Sequence, residues 1–169
     1  MERGNQHGNN RRGGPGGHRG GPRPERPKPE YDHKIVDIRR VARVVAGGRR
    51  FSFAVTLVAG NRKGKVGVGT GKAGDTALAI EKAMNSAKKA MITVRLTKTS
   101  SIRHETAAKY GSSSIIIKPA PARGIVAGSS VRNVLDLAGV HDVNAKVLSR
   151  SKNKLNNARA AIIALEKIK

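Results

Sequence analysis

No cysteine occurs in the chain, so neither a disulfide framework nor a thiolate metal site is available, and a reducing compartment is compatible with it. Tryptophan is absent too, and with only two Phe and two Tyr any core must be aliphatic. Acidic residues are scarce: 11 Asp and Glu face 34 Lys and Arg, leaving a formal +23 over 169 residues. That excess goes far past what solubility requires and points to a polyanionic partner, nucleic acid before an acidic membrane surface. Long apolar runs are missing as well. The longest fall well short of a membrane span and no signal-peptide pattern opens the chain, so no membrane association is expected. The length suits one medium domain or two small ones.

What is present divides into three. Residues 1–32 are rich in Gly, Pro, Arg and Asn, with RGG-like steps at Arg12-Gly13-Gly14 and Arg19-Gly20-Gly21, and contain no Ala, Val, Leu or Ile. Nothing there offsets the entropy of ordering, so this stretch reads as a disordered basic tail. Residues 33–91 open with a strand pattern carrying Ile35, Val36, Ile38, Val41, Val44 and Val45, which Gly47-Gly48 ends. Phe51, Phe53, Val55 and Leu57 then alternate with Ser52, Ala54 and Thr56 as a half-buried antiparallel strand. A third strand alternates Val66 and Val68 with Gly67 and Gly69, where missing side chains permit close backbone approach. A helix follows, capped by Asp75 or Thr76, with Ala77, Ile80, Met84, Ala87 and Met91 on one side and Lys82, Asn85, Lys88 and Lys89 on the other.

Residues 92–169 read as β-β-β-α-β-α. A strand over Ile92–Leu96 precedes a hairpin of Ile102–Tyr110 and Ser114–Lys118, and Pro119 and Pro121 stop the pairing. Ser129 or Ser130 caps a helix bearing Val131, Val134, Leu135 and Ala138, which Gly139 ends. A strand through Val143, Ala145 and Val147 leads to a last helix with Leu155, Ala158, Ile162 and Leu165 on one side. The fold class is α+β, two small domains after a tail.

Cations gather where the chain reverses. Arg43, Arg49, Arg50, Arg62, Lys63, Lys65 and Lys72 lie at or beside turns, and Lys82 and Lys89 lie on the adjoining helix. An idle surface would carry balancing acids, and this segment has few, so these nine residues are the candidate RNA contacts. Phe51 and Phe53 share a strand face with Val55 and Leu57 and are expected in the core, which leaves recognition to phosphates and RNA shape rather than to stacked bases. Gly67-Val68-Gly69-Thr70-Gly71-Lys72 imitates a nucleotide loop but fails it. A P-loop needs Gly four residues before the Gly-Lys pair and a hydroxyl just after, and Val66 and Ala73 stand there. Gly64-Lys65-Val66-Gly67 has the spacing of a KH loop but lies between strands. His33, His104 and His141 are isolated, and His7 and His18 fall in the tail, so no catalytic residue, metal or cofactor is assigned.

Several segments together are distinctive. Val44-Val45-Ala46-Gly47-Gly48-Arg49-Arg50-Phe51-Ser52-Phe53, Gly69-Thr70-Gly71-Lys72-Ala73, Gly128, Val131-Arg132-Asn133-Val134-Leu135 and Ala138-Gly139-Val140, with Ser151, Asn153, Asn156 and Arg159, closely resemble the bacterial small-subunit ribosomal protein S5 family over about residues 33–169. The resemblance implies a first domain like a double-stranded-RNA-binding domain without its opening helix, and a second of β₃-α-β-α type. It implies a non-enzymatic protein that binds small-subunit rRNA at the head–body junction of a cytoplasmic ribosome and supports decoding accuracy near the mRNA path. Neighbouring proteins S4 and S8 are the implied partners, with no homo-oligomer. The family's spectinomycin loop falls on Ala42, Arg43, Val44, Val45, Ala46, Gly47 and Gly48, with Ala46 where the family usually has Lys. Its S4 contact, where fidelity changes arise, falls on Ala122, Arg123, Gly124 and Arg132. A free RNA chaperone or processing factor, drawing on the RGG-like tail, is the competing reading.

Overall fold

The computed structural model describes residues 30–168, so the tail expected over residues 1–32 lies almost wholly outside the described residues. Its end is the start of the first strand: β1 runs Asp32–Val45, β2 Gly48–Gly60 and β3 Lys65–Ala73, followed by α1 over Thr76–Lys89 and a two-residue β4 at Ile92–Thr93. The antiparallel sheet has the order β1-β2-β3-β4. A strand over Ile92–Leu96 was expected to open the second unit. It is shorter and sits elsewhere, because Val66 and Lys65 pair with Ile92 and Thr93 and draw them into the first sheet.

The second sheet has the order β5-β6-β8-β7, built from β5 (Thr106–Tyr110), β6 (Ser113–Pro119), β7 (Ile125–Val126) and β8 (Val143–Val147). β5, β6 and β8 pair antiparallel, whereas β7 lies parallel to β8, so α2 (Ser129–Ala138) is the crossover between them. The last element, α3, spans Lys154–Glu166, and Asn153 caps it by accepting from the amides of Leu155 and Asn156 at 3.1 and 3.4 Å. α2 begins at Ser129 with Gly128 as its N-cap, not a serine side chain.

Alternation along β2 and β3 explains the layering. Val55, Leu57 and Ala59 face α1 together with Gly67, Gly69 and Gly71. A methyl on any of those three glycines would overlap the backbone of α1 at Ala87, Ala83 or Ala79, so the helix lies flush on a stripe without side chains. The helix answers with Ala79, Ala83 and Ala87 as its buried face, while Ile80, Met84 and Met91 pack at the margins.

The opposite face of the sheet is buried as well. Val36, Val58, Val66 and Val68 join Val134, Leu135, Leu137, Ala158 and Leu165 of the second unit in one continuous core. β2 is therefore covered on both sides over its second half, where half-burial was expected. The largest fully buried side chains are all Leu, Ile and Val, each contributing about 1.5–3 kcal/mol on burial.

The two units are also joined through backbone. All four carbonyls left open at the end of α2 are met: Leu135 and Asp136 accept from Val140 and Gly139, and Leu137 and Ala138 from Arg62 and Gly64 of the β2–β3 loop. Asn61 shapes that loop, its side-chain oxygen accepting from the amides of Lys63 and Lys65 at 2.8 and 3.0 Å. From β1, Lys34 pairs with Asp136 at 2.5 Å, and Asp37 with Lys154 at 3.4 Å.

Candidate nucleic-acid interface

β1 and β2 outrun the rest of their sheet. The pairing of β2 with β3 ends at Phe53 and Ala73, yet β1 and β2 continue through Val41–Ser52, Ala42–Phe51, Arg43–Arg50, Val44–Arg49 and Val45–Gly48. The result is a two-stranded ribbon, closed by a turn at Ala46-Gly47, with Gly48 at φ +128. Few core groups hold it down: Val44 is 75 % exposed and Phe51 51 %.

Cross-strand pairs share a face, which sorts the ribbon cations. Arg43 and Arg50 are opposite one another, on the side where Val41–Ser52 and then Arg39, Ala54 and Lys72 form the rows towards the sheet. Arg40 and Arg49 are on the other side with Phe51 and Phe53. At the ribbon's base a recess of about 380 Å³ is lined by Arg39, Thr56, Thr70, Lys72 and Leu155. The segment 38–74 contains nine Lys or Arg and no Asp or Glu.

The nine expected contacts do not form one cluster. Arg43, Arg49, Arg50 and Lys72 gather at the ribbon end, whereas Arg62, Lys63 and Lys65 sit at the opposite end of β2 and β3, roughly 30 Å away by strand rise. α1 runs back between the two ends, carrying Lys82 and Lys89 on its open side. All nine are exposed. Among the described residues only Arg62 of the nine makes an ion pair, with Asp32 at 3.3 Å. The Arg62–Lys63 loop is in addition committed to α2 through its backbone, so the ribbon is the freer surface.

Phe51 was expected in the core and is not there. It does share the face of Phe53, Val55 and Leu57, but it lies beyond β3 and belongs to neither core cluster; Phe53 does pack beside α1. The guanidinium carbon of Arg40 lies 4.4 Å from the Phe51 ring centroid. Arg39 and Arg40, not among the nine expected residues, continue the cations of β1 towards the sheet opposite Ala54 and Phe53, and Arg39 pairs with Asp37 at 3.1 Å.

In the second unit, Ala122, Arg123 and Arg132 are exposed and Gly124 half-buried. Asp142 pins the loop before β7, accepting from the Gly124 amide at 3.0 Å through its side chain and from Ala120 at 2.9 Å through its carbonyl. Ala122 and Gly124 both take left-handed backbone, φ +61 and +65. Among the described residues no three His, Cys, Asp or Glu side chains come together to hold a metal ion, and no helix is long and apolar enough to cross a membrane.

Two family models match the chain in tandem: ribosomal protein S5, N-terminal domain, over residues 31–95, and ribosomal protein S5, C-terminal domain, over residues 108–169. The chain belongs to the ribosomal protein S5 family. It is accordingly a structural, rRNA-binding ribosomal protein and not an enzyme. Its relatives include small ribosomal subunit protein uS5 of Gloeothece citriformis, 50% identical over 140 residues, covering 82% of this chain and 80% of that one. The uS5 of Microcystis aeruginosa is 47% identical over 152 residues, 89% and 87% of the two chains. Small ribosomal subunit protein uS5c of Rhodomonas salina is 48% identical over 141 residues, 83% of each. The two family matches correspond to the two sheets, and the shared valine-rich core lies between them.

Proposed function

We propose that the chain sits at the head–body junction of the small subunit in a cytoplasmic ribosome and holds structured rRNA by phosphate neutralisation. Its first unit, β1–β4 with α1, acts as a domain like those that bind double-stranded RNA, and the second unit packs on rRNA and neighbouring proteins, with a basic tail ahead of β1. Arg43, Arg49, Arg50 and Lys72 supply one group of contacts, and Arg62, Lys63 and Lys65 a second, with Lys82 and Lys89 between them. Two cation groups spaced along one sheet suit a rigid polyanion spanning both.

The observation that carries this reading is the acid-free segment 38–74 with Arg43, Arg49, Arg50 and Lys72 exposed and free of ion pairs among the described residues. S4 contacts the segment Ala122–Gly124 and Arg132, and S8 is a further neighbouring protein. Through the S4 contact and the nearby mRNA path the chain supports decoding accuracy, and Ala42–Gly48 forms the spectinomycin-sensitive loop.

Chemical footprinting of small-subunit rRNA with and without the chain tests it. Protection is expected at the junction, with affinity for isolated rRNA falling about 10³–10⁵-fold from 50 to 200 mM salt if roughly six to ten phosphates are neutralised. Salt-independent binding would remove the electrostatic clamp.

A further inference from the structure

We propose that Phe51 is a stacking platform for one unpaired RNA base, which takes the ring face opposite the one that the Arg40 guanidinium covers. This deepens the rRNA-binding reading and rests on it. An isolated exposed apolar side chain needs no explanation. Here four observations coincide.

Phe51 is one of only two Phe in the chain, and it is the one left out of both cores, with half its surface open. Its cross-strand partner is Ala42, too small to cover a ring, and among the described residues no third strand is paired that far and neither core cluster includes it. Arg40 stacks on the ring at 4.4 Å from its centroid. Arg49 stands two residues along the same face, in a segment free of carboxylates, so a phosphate on either side of a stacked base would meet a cation.

A flat apolar ring plus a flat cation is the surface that a splayed-out base uses, and the pairing is tolerant of base identity. A base inside an A-form duplex has no free face to offer. The ribbon therefore favours a loop, bulge or strand end over a continuous helix. Phe53, sunk beside α1, holds the ribbon's base in place, and Phe51 meets the ligand.

The test uses the full chain with two probes: single-stranded oligoadenylate with a central 2-aminopurine, and a blunt RNA duplex of equal length. Phe51→Leu is expected to lower affinity for the single strand by about tenfold. The same change should abolish the rise in 2-aminopurine fluorescence that accompanies unstacking of that base from its adenine neighbours on binding, and leave duplex affinity and the salt slope unchanged. Phe51→Tyr should keep the affinity. Wild-type affinity and fluorescence rise in Phe51→Leu would overturn the proposal, as would an equal loss on strand and duplex, which would mark a general effect on the ribbon. Failure of the wild-type chain to bind either RNA would instead remove the proposed phosphate clamp, and the platform with it.

Discussion

The backbone amide of Arg62 donates to the Leu137 carbonyl at 2.9 Å, so a loop of the first sheet finishes a helix of the second unit. Gly139 makes this approach attainable: it takes φ +76, and a methyl there would overlap the Arg62 carbonyl. Gly139→Ala combines left-handed strain of about 1–2 kcal/mol with overpacking of about 1–3 kcal/mol. A thermal melt should register it as a drop of roughly 2–4 °C per kcal/mol lost. An unchanged midpoint would mean that the loop and helix end are not packed as described.

Gly69 and Gly47 make a matched pair. A methyl at Gly69 would run into the backbone of α1 at Ala83 and Ala87, whereas one at Gly47 meets no atom within 4 Å. Gly69→Ala should therefore force α1 off the sheet and cost about 3 kcal/mol or more, while Gly47→Ala stays within about 0.5 kcal/mol of wild type. Denaturant titration of both variants decides. Equal effects would contradict the flush packing.

Asp136 carries the pH dependence of the joint between the units. The hydrogen bond from Lys34, then the positive charges of Lys34, Arg62 and His141, hold its carboxyl below the ordinary range against a smaller opposing effect of burial. Because the folded-state pKa is depressed, the stabilisation is present above the unfolded carboxylate pKa and is lost as pH falls through the folded value. Acid should thus destabilise wild type more steeply than Asp136→Asn in melts taken from neutral pH downward. Parallel acid limbs in the two proteins would count against the pair. High salt should narrow the difference, since Lys34 is partly solvated.

Reversing the ribbon charge separates affinity from folding. Arg49 and Arg50 are exposed and make no ion pair among the described residues, so Arg49→Glu with Arg50→Glu should leave the melting midpoint close to wild type. The salt slope of RNA binding should fall by up to about two, and incorporation into small subunits, followed by gradient sedimentation, should be impaired. Normal incorporation would dismiss the ribbon as a contact.

Much of this was legible in the residues. Period-two alternation placed β2 and β3, the Gly67–Gly69 run announced a close approach, and Gly139 marked the end of α2. Four features were hidden because they depend on what lies across from a residue. Alternation puts Phe51 and Leu57 on one face but does not say that helical cover stops between them. A two-residue strand such as β7 has too few positions for a period, so Ile125–Val126 shows no strand pattern and Ile92–Thr93 does not reveal which sheet it joins. Strand length separated the two cation groups, although turns at either end look alike in sequence. Val58 and Val66 gave no local sign that a second core waited on their side.

Among the described residues the outrunning ribbon leaves β1 unpaired along its outer border and β2 unpaired on its β3 side beyond Phe53. Open borders of that kind invite a second copy to zip alongside, and like charge is a standard deterrent. Arg40, Arg43, Arg49 and Arg50 thus act as gatekeepers against self-association whenever no RNA neutralises them. Exchanging them for uncharged side chains would cost solubility along with affinity, so the chain is safest from clumping while its positive charge is uncancelled.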